Sequence, residues 1–352
     1  MSSWLRLCAV LLVVCLPSAG VASQDLSPRI SVSIAVFDPA IPEDPSVYRD
    51  LEIFPRIREV EAMLWPFQLR QSLIDTNAFR MVRVVPEPDN NAELSVVASI
   101  LQSDGFTLRL HVVATDAMGG TWRDHVYEAT IDKETRVGAD FQAVFDRIAE
   151  DLSSGAIRLE VADVDKLAEV SVLRYAQDVA PRAFGDFLSK NDDGTISILR
   201  LPARDDPMVE RARMVRETEF VINDVVDEGF VELYAEISKV HDLWREYRRQ
   251  NQIYQAENAR RAGDKDDGYD RASFEHLKRL YDVYKWDRTT VQEQDRLAVA
   301  FTNEVGPRVE ALEARIAELE VWIDSKYAEW NRLLEALFEV EMRPEPDGQG
   351  AL

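Results

Sequence analysis

Alternation of apolar and polar residues indicates strands in the first part of the chain. Ile30, Val32, Ile34 and Val36 alternate with small or polar residues, which predicts a half-buried strand. Four later segments alternate in the same way, and they begin near Met81, Leu94, Phe106 and His125. The turn signals Asp104-Gly105 and Gly119-Gly120 separate the last three, as expected for strands joined by tight turns.

Two helices are predicted beside these strands. Residues 54–75 carry an apolar stripe with helical spacing, and Pro66 within it is expected to kink or restart the helix. Residues 138–153 carry a second stripe of the same kind. The order strand, helix, four strands, helix predicts an α+β fold, with a mixed but largely antiparallel sheet and helices on one face.

Heptad spacing dominates the chain beyond residue 207. One row runs from Val226 through Leu233 and Val240, and an interleaved row from Phe230 through Ile237 and Trp244. The last helix repeats the pattern over five heptads, with one row from Val309 to Leu337 and another from Val305 to Leu333. Such paired rows are typical of coiled coils.

An antiparallel hairpin is the simplest packing of these two helices, which we expect to span about 45 and 50 residues. A polar loop at 263–268 and a short helix at 272–286 are expected to join them. Self-association of the heptads between two chains is the alternative.

These patterns divide the chain into five parts. We predict a signal peptide at 1–23, an α+β domain at 24–160, a junction at 161–207, a long helical coiled-coil hairpin at 208–342 and a disordered tail at 343–352. If the hairpin folds by itself, Ile316→Asp with Ile323→Asp unfolds it and leaves the 30–160 part folded.

The first 23 residues resemble a secretory signal. Arg6 precedes an apolar run of about ten residues, and small residues follow up to Ser23. That run is too short to span a membrane, so export to the periplasm is expected. Both cysteines, Cys8 and Cys15, lie in this leader, and an outer-membrane lipoprotein anchored at Cys15 is a less favoured reading because Val14 is not the small residue usual before a lipidated cysteine.

The chain is strongly acidic, with a net charge of −23 from 41 basic and 64 acidic residues. Because the leader contains only Arg6 and no acid, its removal gives −24. Such a charge disfavours nucleic acid and anionic membrane surfaces as partners. The hydrophobic content of 46% is enough for a folded core.

One resemblance comes from the order of elements and a few turn residues. The first strand ends in Ala35-Val36-Phe37-Asp38-Pro39, and Ser103-Asp104-Gly105 leads into Leu108, Leu110 and Val112, with Asp116 and Gly119 after them. This arrangement resembles a bacterial envelope group that includes curli-assembly outer-membrane proteins, penicillin-binding-protein activator lipoproteins and the N-terminal domain of the Tol-system β-propeller. The resemblance implies a periplasmic domain that binds partners rather than a catalyst.

Motifs for catalysis or metal binding are missing from the sequence. His111, His125, His241 and His276 stand outside any metal-ligand pattern, and we expect His111 to be solvated and His241 to lie at the surface. No serine or cysteine nucleophile motif and no phosphate-binding loop is present, and the two Asp-rich loops fail the EF-hand pattern. We therefore expect no enzyme activity, no metal and no cofactor.

Aromatic residues are concentrated toward the expected tip of the hairpin. The candidate partner-binding residues are Tyr254, Tyr269, Tyr281, Tyr284 and Trp286, with Tyr247 beside them. If these residues are exposed, they would suit a protein-binding hot spot. If they pack under the 272–286 helix, they would instead belong to the hydrophobic core.

The sequence thus favours an exported interaction or scaffold protein that docks a cell-envelope assembly. An accessory subunit of a periplasmic transport or secretion system is the first alternative. An envelope glycan hydrolase is the second, and a cleft with two carboxylates of perturbed pKa would favour it.

Overall fold

The computed structural model describes residues 29–48, 51–132, 141–203, 206–263 and 274–341. Its seven strands are β1 (Ser31–Ala35), β2 (Met81–Val85), β3 (Leu94–Ser103), β4 (Thr107–Asp116), β5 (Thr121–Thr130), β6 (Leu188–Lys190) and β7 (Ile196–Ile198). Its six α-helices are α1 (Pro55–Asp75), α2 (Gln142–Ala156), α3 (Val161–Val179), α4 (Pro181–Phe184), α5 (Pro207–Gly263) and α6 (Phe274–Glu341). A 3-10 turn at Pro45–Val47 precedes α1.

The first five strands form one mixed sheet in the order β2-β1-β3-β4-β5, which confirms the α+β prediction. β1 pairs in parallel with both β2 and β3, whereas the β3–β4 and β4–β5 pairs are antiparallel. The sheet is therefore less antiparallel than expected. The cause is α1, which carries the chain back across the sheet so that β2 starts at the same end as β1.

One face of this sheet is apolar and covered by helices. Val32, Ile34, Val96, Leu110 and Val112 are buried there against Trp65 and Leu69 of α1 and Phe145 and Ile148 of α2. The opposite face carries Ser95, Ser99, His111 and Thr115, none of which is buried. This division confirms that the helices lie on one face.

α1 continues through Pro66 as a single helix, so the expected restart at that residue is wrong. α3 buries Leu167, Val170, Leu173 and Ala176 against the same core as α1 and α2. The small β6–β7 hairpin follows α4.

α5 and α6 are antiparallel and form the predicted long helical hairpin. Arg308 of α6 pairs with Glu236, and Arg315, one heptad later, pairs with the earlier Glu232 of α5. The helices are longer than expected, at 57 and 68 residues. The short helix expected at 272–286 is not separate, because α6 runs unbroken from residue 274, and the connecting loop at 264–273 lies outside the described residues.

The hairpin lies along the sheet layer instead of standing away from it. Ile57, Val60 and Leu64 of α1 share a core with both helices. The α5 side chains of that core are Val226, Phe230, Leu233, Ile237 and Trp244, and those of α6 are Phe301, Val305 and Leu312. The division into domains at residues 160 and 207 stays a prediction. Residues on both sides of these boundaries pack into shared hydrophobic cores.

α5 also covers the outer edge of β2. The Asp227 carboxylate accepts a hydrogen bond from the backbone N–H of Val84 at 2.8 Å and pairs with Arg70 of α1 at 2.7 Å. Because an open strand edge attracts other chains, this contact also protects the sheet. No helix among the described residues has the length and apolar character that crossing a membrane requires.

Candidate functional site

Two of the sequence-predicted aromatic residues have described side chains toward the tip of the hairpin. Tyr254 on α5 is 43% exposed and Tyr281 on α6 is 62% exposed. Tyr247, nearer the sheet layer, is half-buried. Tyr269 lies outside the described residues, and so do the side chains of Tyr284 and Trp286.

The exposure of this tip follows from where the hairpin leaves the sheet layer. Asn251 on α5 and Gln294 on α6 are the last buried residues toward the tip in the described part of the chain. Described side chains of α6 before Gln294 are all exposed, and none of α5 after Asn251 is buried. Tyr254 and Tyr281 therefore belong to a projecting end.

His241 lies in the interior, so the expectation of a surface position is wrong. Its side chain is 3% exposed, and its Nε2 is 3.2 Å from Oε1 of Glu61. α5 packs antiparallel to α1 at this point, which carries His241 onto Trp65 with 5.3 Å between ring centroids. Heptad spacing could not place it, because the covering surface comes from a helix about 180 residues earlier.

Glu61 is held as a buried carboxylate by its neighbours. Burial alone would raise the pKa of Glu61, but the hydrogen bond and charge of His241 and the charge of Arg58 lower it. Arg58 in turn donates from Nη1 to the carbonyl oxygen of Ile100 at 3.0 Å. These contacts fix α5 on α1 and α1 on β3, and only a small space of about 20 Å³ adjoins them.

The other histidines have ordinary surroundings where the structure describes them. His111 is 2.7 Å from Asp124 on the open face of the sheet, close to the solvated position expected for it. His125 contacts the Tyr127 ring, and His276 has no described side chain. Among the described residues, no three histidine or acidic side chains lie close enough to hold a metal ion.

A cavity of about 560 Å³ opens between the sheet edge and the helices α3 and α5. We call it the arginine cavity, because Arg80, Arg83, Arg213 and Arg216 line it. Arg80 pairs with Glu93 at 2.7 Å and Arg83 pairs with Asp224 at 2.5 Å. The other two arginines have no carboxylate of a described residue at salt-bridge distance.

Arg216 is a buried cation in this cavity. It is 6% exposed, and its Nη2 donates to the carbonyl oxygen of Asn91 at 2.5 Å. Its guanidinium carbon lies 5.0 Å from the ring centre of Phe220 and 5.6 Å from that of Tyr175. Burial lowers the pKa of Arg216, and the charges of Asp89, Glu219 and Glu93 oppose that shift.

A cluster of acid and tyrosines beside Arg216 joins α3, α5 and α6. The Tyr327 hydroxyl donates to Glu219, and the Tyr327 and Tyr175 ring centroids are 6.1 Å apart. Burial raises the pKa of Glu219 more than the hydrogen bond from Tyr327 lowers it. This cluster and the Asn331 amide, which donates to the carbonyl oxygen of Val179, attach the end of α6 to the rest of the molecule.

A second cavity of about 580 Å³ lies between α1 and α6. Val60 and Met63 line one wall, and Val305 and Val309 line the other. Pro307 lies within α6 at this cavity and lacks a backbone N–H, so the helix loses one internal hydrogen bond there.

Comparison with protein-family models, with curated proteins and with solved structures gives no significant match to this chain. The resemblance to the envelope group therefore stays a prediction based on topology.

Sequence reasoning named candidate aromatic residues near the tip but missed the arginine cavity. Arg80 lies just before β2 and Arg83 within it, and Arg213 and Arg216 lie at helical spacing about 130 residues later. Of these features, only the helical spacing of the two arginines on α5 could have indicated the cavity from the sequence. The fold brings the two pairs together, because α5 runs along the edge of β2.

Proposed function

We propose that this chain is an exported, non-enzymatic interaction protein that docks a protein partner of the cell envelope through its hairpin tip. The observation that carries this proposal is the exposure of Tyr254 and Tyr281 on the two helices of the projecting end. Tyrosine is enriched at interface hot spots, because it combines a large apolar ring with a hydrogen-bonding hydroxyl.

The sheet layer serves as the base of this arm in the proposal. Its cores continue into α5 and α6, so the part of the arm next to the sheet layer is anchored on it. An accessory subunit of a transport or secretion system would use the same tip, and the identity of the partner distinguishes the two roles.

The glycan-hydrolase alternative has no supporting observation among the described residues of the 30–160 part. The acids between residues 29 and 160 whose pKa is shifted are Asp44, Glu61 and Asp151, and all three are lowered. A glycosidase acid needs a raised pKa beside a second carboxylate in a cleft.

Site-specific photo-crosslinking tests the docking proposal. A photoreactive phenylalanine is placed at 254 or 281 in the full chain in its native host. Positions 243 and 299 are the controls, because Leu243 and Val299 are also exposed but lie off the tip. We expect one adduct of the same mass from both tip positions and none from the controls. Equal yields at all four positions, or no adduct from the tip, would contradict the proposal.

Loss of the tip side chain should weaken this capture. We expect Tyr281→Ala to reduce crosslinking from position 254 by about ten-fold, the typical effect of removing a hot-spot residue. Leu243→Ala is the matched control, and circular dichroism checks that both variants fold.

Export itself is tested by the mass of the mature protein. We expect the cell-envelope fraction to contain a chain that begins at Ser23 or Gln24. A chain that retains its first 22 residues in the cytoplasm would contradict the periplasmic assignment.

A further inference from the structure

Arg213 and Arg216 line the arginine cavity without a carboxylate of a described residue at salt-bridge distance, although Asp89, Glu93 and Glu219 act on the charge of Arg216 from further away. A buried guanidinium without a carboxylate partner is costly, and such groups in proteins are normally paired. Arg216 lies in this situation, with one hydrogen bond to a carbonyl oxygen. Its neighbour by one helical turn, Arg213, is exposed at the same cavity and makes no hydrogen bond or ion pair with a described residue.

A second, independent feature is Ser33 on β1. Its side chain is 7% exposed, it lines the cavity, and its buried Oγ has no hydrogen-bond partner among the described residues. Buried hydroxyls are nearly always hydrogen-bonded in native structures. An unpartnered hydroxyl at the wall of a cavity is what a missing ligand would leave.

The rest of the lining indicates the kind of ligand. Val32, Val85, Ala92, Val172 and Phe220 provide an apolar surface beside the arginines. The volume of about 560 Å³ lies in the range of small-molecule sites. Four further acids, Asp89, Asp165, Glu169 and Glu217, line the cavity beside Glu93, which pairs with Arg80. These acids disfavour a ligand with several negative charges.

We propose that the arginine cavity binds a small organic monocarboxylate, with its carboxylate at Arg213 and Arg216, a hydrogen bond from Ser33, and its apolar body against Val172 and Phe220. Arginine is suited to this role because its planar donors match the two oxygens of a carboxylate. The cavity residues are distinct from those of the hairpin tip, so this site does not depend on partner docking.

Calorimetry on the full mature chain tests the site with named probes. Phenylacetate and hexanoate supply one carboxylate and an apolar body, phenylacetamide is the uncharged isostere, and inorganic phosphate is the anion without an apolar body. We expect saturable binding of at least one monocarboxylate, at least ten-fold weaker binding of phenylacetamide and phosphate, and weaker monocarboxylate binding at high salt.

Two variants locate the binding at this cavity. Arg213→Gln and Ser33→Ala should each weaken monocarboxylate binding by about ten-fold. Arg332→Gln removes an exposed helical arginine elsewhere and should leave the affinity unchanged. Because Arg213 is exposed and Ser33 changes only a hydroxyl, both variants are expected to fold.

Three results would overturn the proposal. One is no saturable binding of either monocarboxylate up to about 10 mM, a concentration that covers very weak sites. The second is equal affinity for phenylacetamide. The third is a monocarboxylate affinity that neither Arg213→Gln nor Ser33→Ala changes.

Discussion

Glu219 is an acid in surroundings that favour its neutral form. It lies between the Tyr175 and Tyr327 side chains at the contact of α3, α5 and α6, and burial raises its pKa. As the pH falls, a group whose pKa is higher in the folded state takes up its proton at a higher pH in the folded chain than in the unfolded chain. Its contribution to stability therefore grows as the pH falls through the folded pKa toward the unfolded value of about 4.3.

Glu219→Gln removes this titration. We expect the parent chain to gain stability relative to the variant between pH 7 and about pH 4.5, as measured by urea unfolding at several pH values. Glu217→Gln, at an exposed neighbouring position, should show no such trend. A parent-to-variant difference that stays constant or reverses with pH would contradict the assignment.

Ser33 offers a second prediction at a single residue. Because its buried hydroxyl has no partner among the described residues, Ser33→Ala should stabilise the free protein by about 1 kcal/mol in urea unfolding. Ser171→Ala is the opposite case, since its hydroxyl donates to the Asn91 carbonyl oxygen at 2.5 Å, and it should destabilise the protein by about the same amount. A loss of stability in Ser33→Ala would mean that the hydroxyl has a partner.

Single residues differ in how well their sequence surroundings predict them. Val32, Val96 and Leu110 alternate with polar neighbours, so their burial can be predicted from local spacing alone. His241 and Glu219 could not be predicted, because their neighbours Glu61 and Tyr327 are more than 100 residues away in the chain.

The edge strand β2 depends on one side chain of α5. Asp227 accepts from the Val84 N–H and pairs with Arg70 through two donors, so its removal leaves a buried N–H and a guanidinium without a partner. We expect Asp227→Ala to cost about 3 kcal/mol in urea unfolding. The control is Glu59→Ala, whose exposed pair with Arg56 should cost less than about 1 kcal/mol. Similar costs for the two variants would contradict the edge role of Asp227.

Element types were predictable, and their connections less so. Apolar positions that recur every two or every 3.6 residues predicted every strand of the main sheet and the helices α1 and α2. The sheet order and the parallel β1–β2 pair were not predictable from periodicity, because they depend on how α1 packs. The unbroken α6 was also missed, since the 272–286 stripe was assigned to a separate helix.

At the scale of the whole molecule, the sheet layer and the hairpin share two cores. Ile237 of α5 is fully buried beside Ile57 and Leu64 of α1. The sequence alone suggested a hairpin that unfolds by itself, and the shared packing leads to a different expectation: damage to α5 destabilises the sheet layer as well.

We therefore expect Ile237→Ala to lower the stability of the entire chain by about 3 kcal/mol in one transition. Far-ultraviolet circular dichroism and the intrinsic tryptophan fluorescence, to which Trp65 of the sheet-layer core and Trp244 of α5 both contribute, should report the same midpoint. Val299→Ala, at an exposed position, should change little. Two separate midpoints in Ile237→Ala would support independent domains.

Hydrogen exchange along α5 tests the central claim that the hairpin is bound to the sheet layer up to Asn251 and free beyond it. The account predicts that amides of 226–249 exchange as slowly as those of β3 and β4, and that amides of 254–263 exchange much faster. Uniformly fast exchange along all of α5, with slow exchange only in the sheet, would contradict the account. It would mean that the hairpin is an arm not bound to the sheet layer.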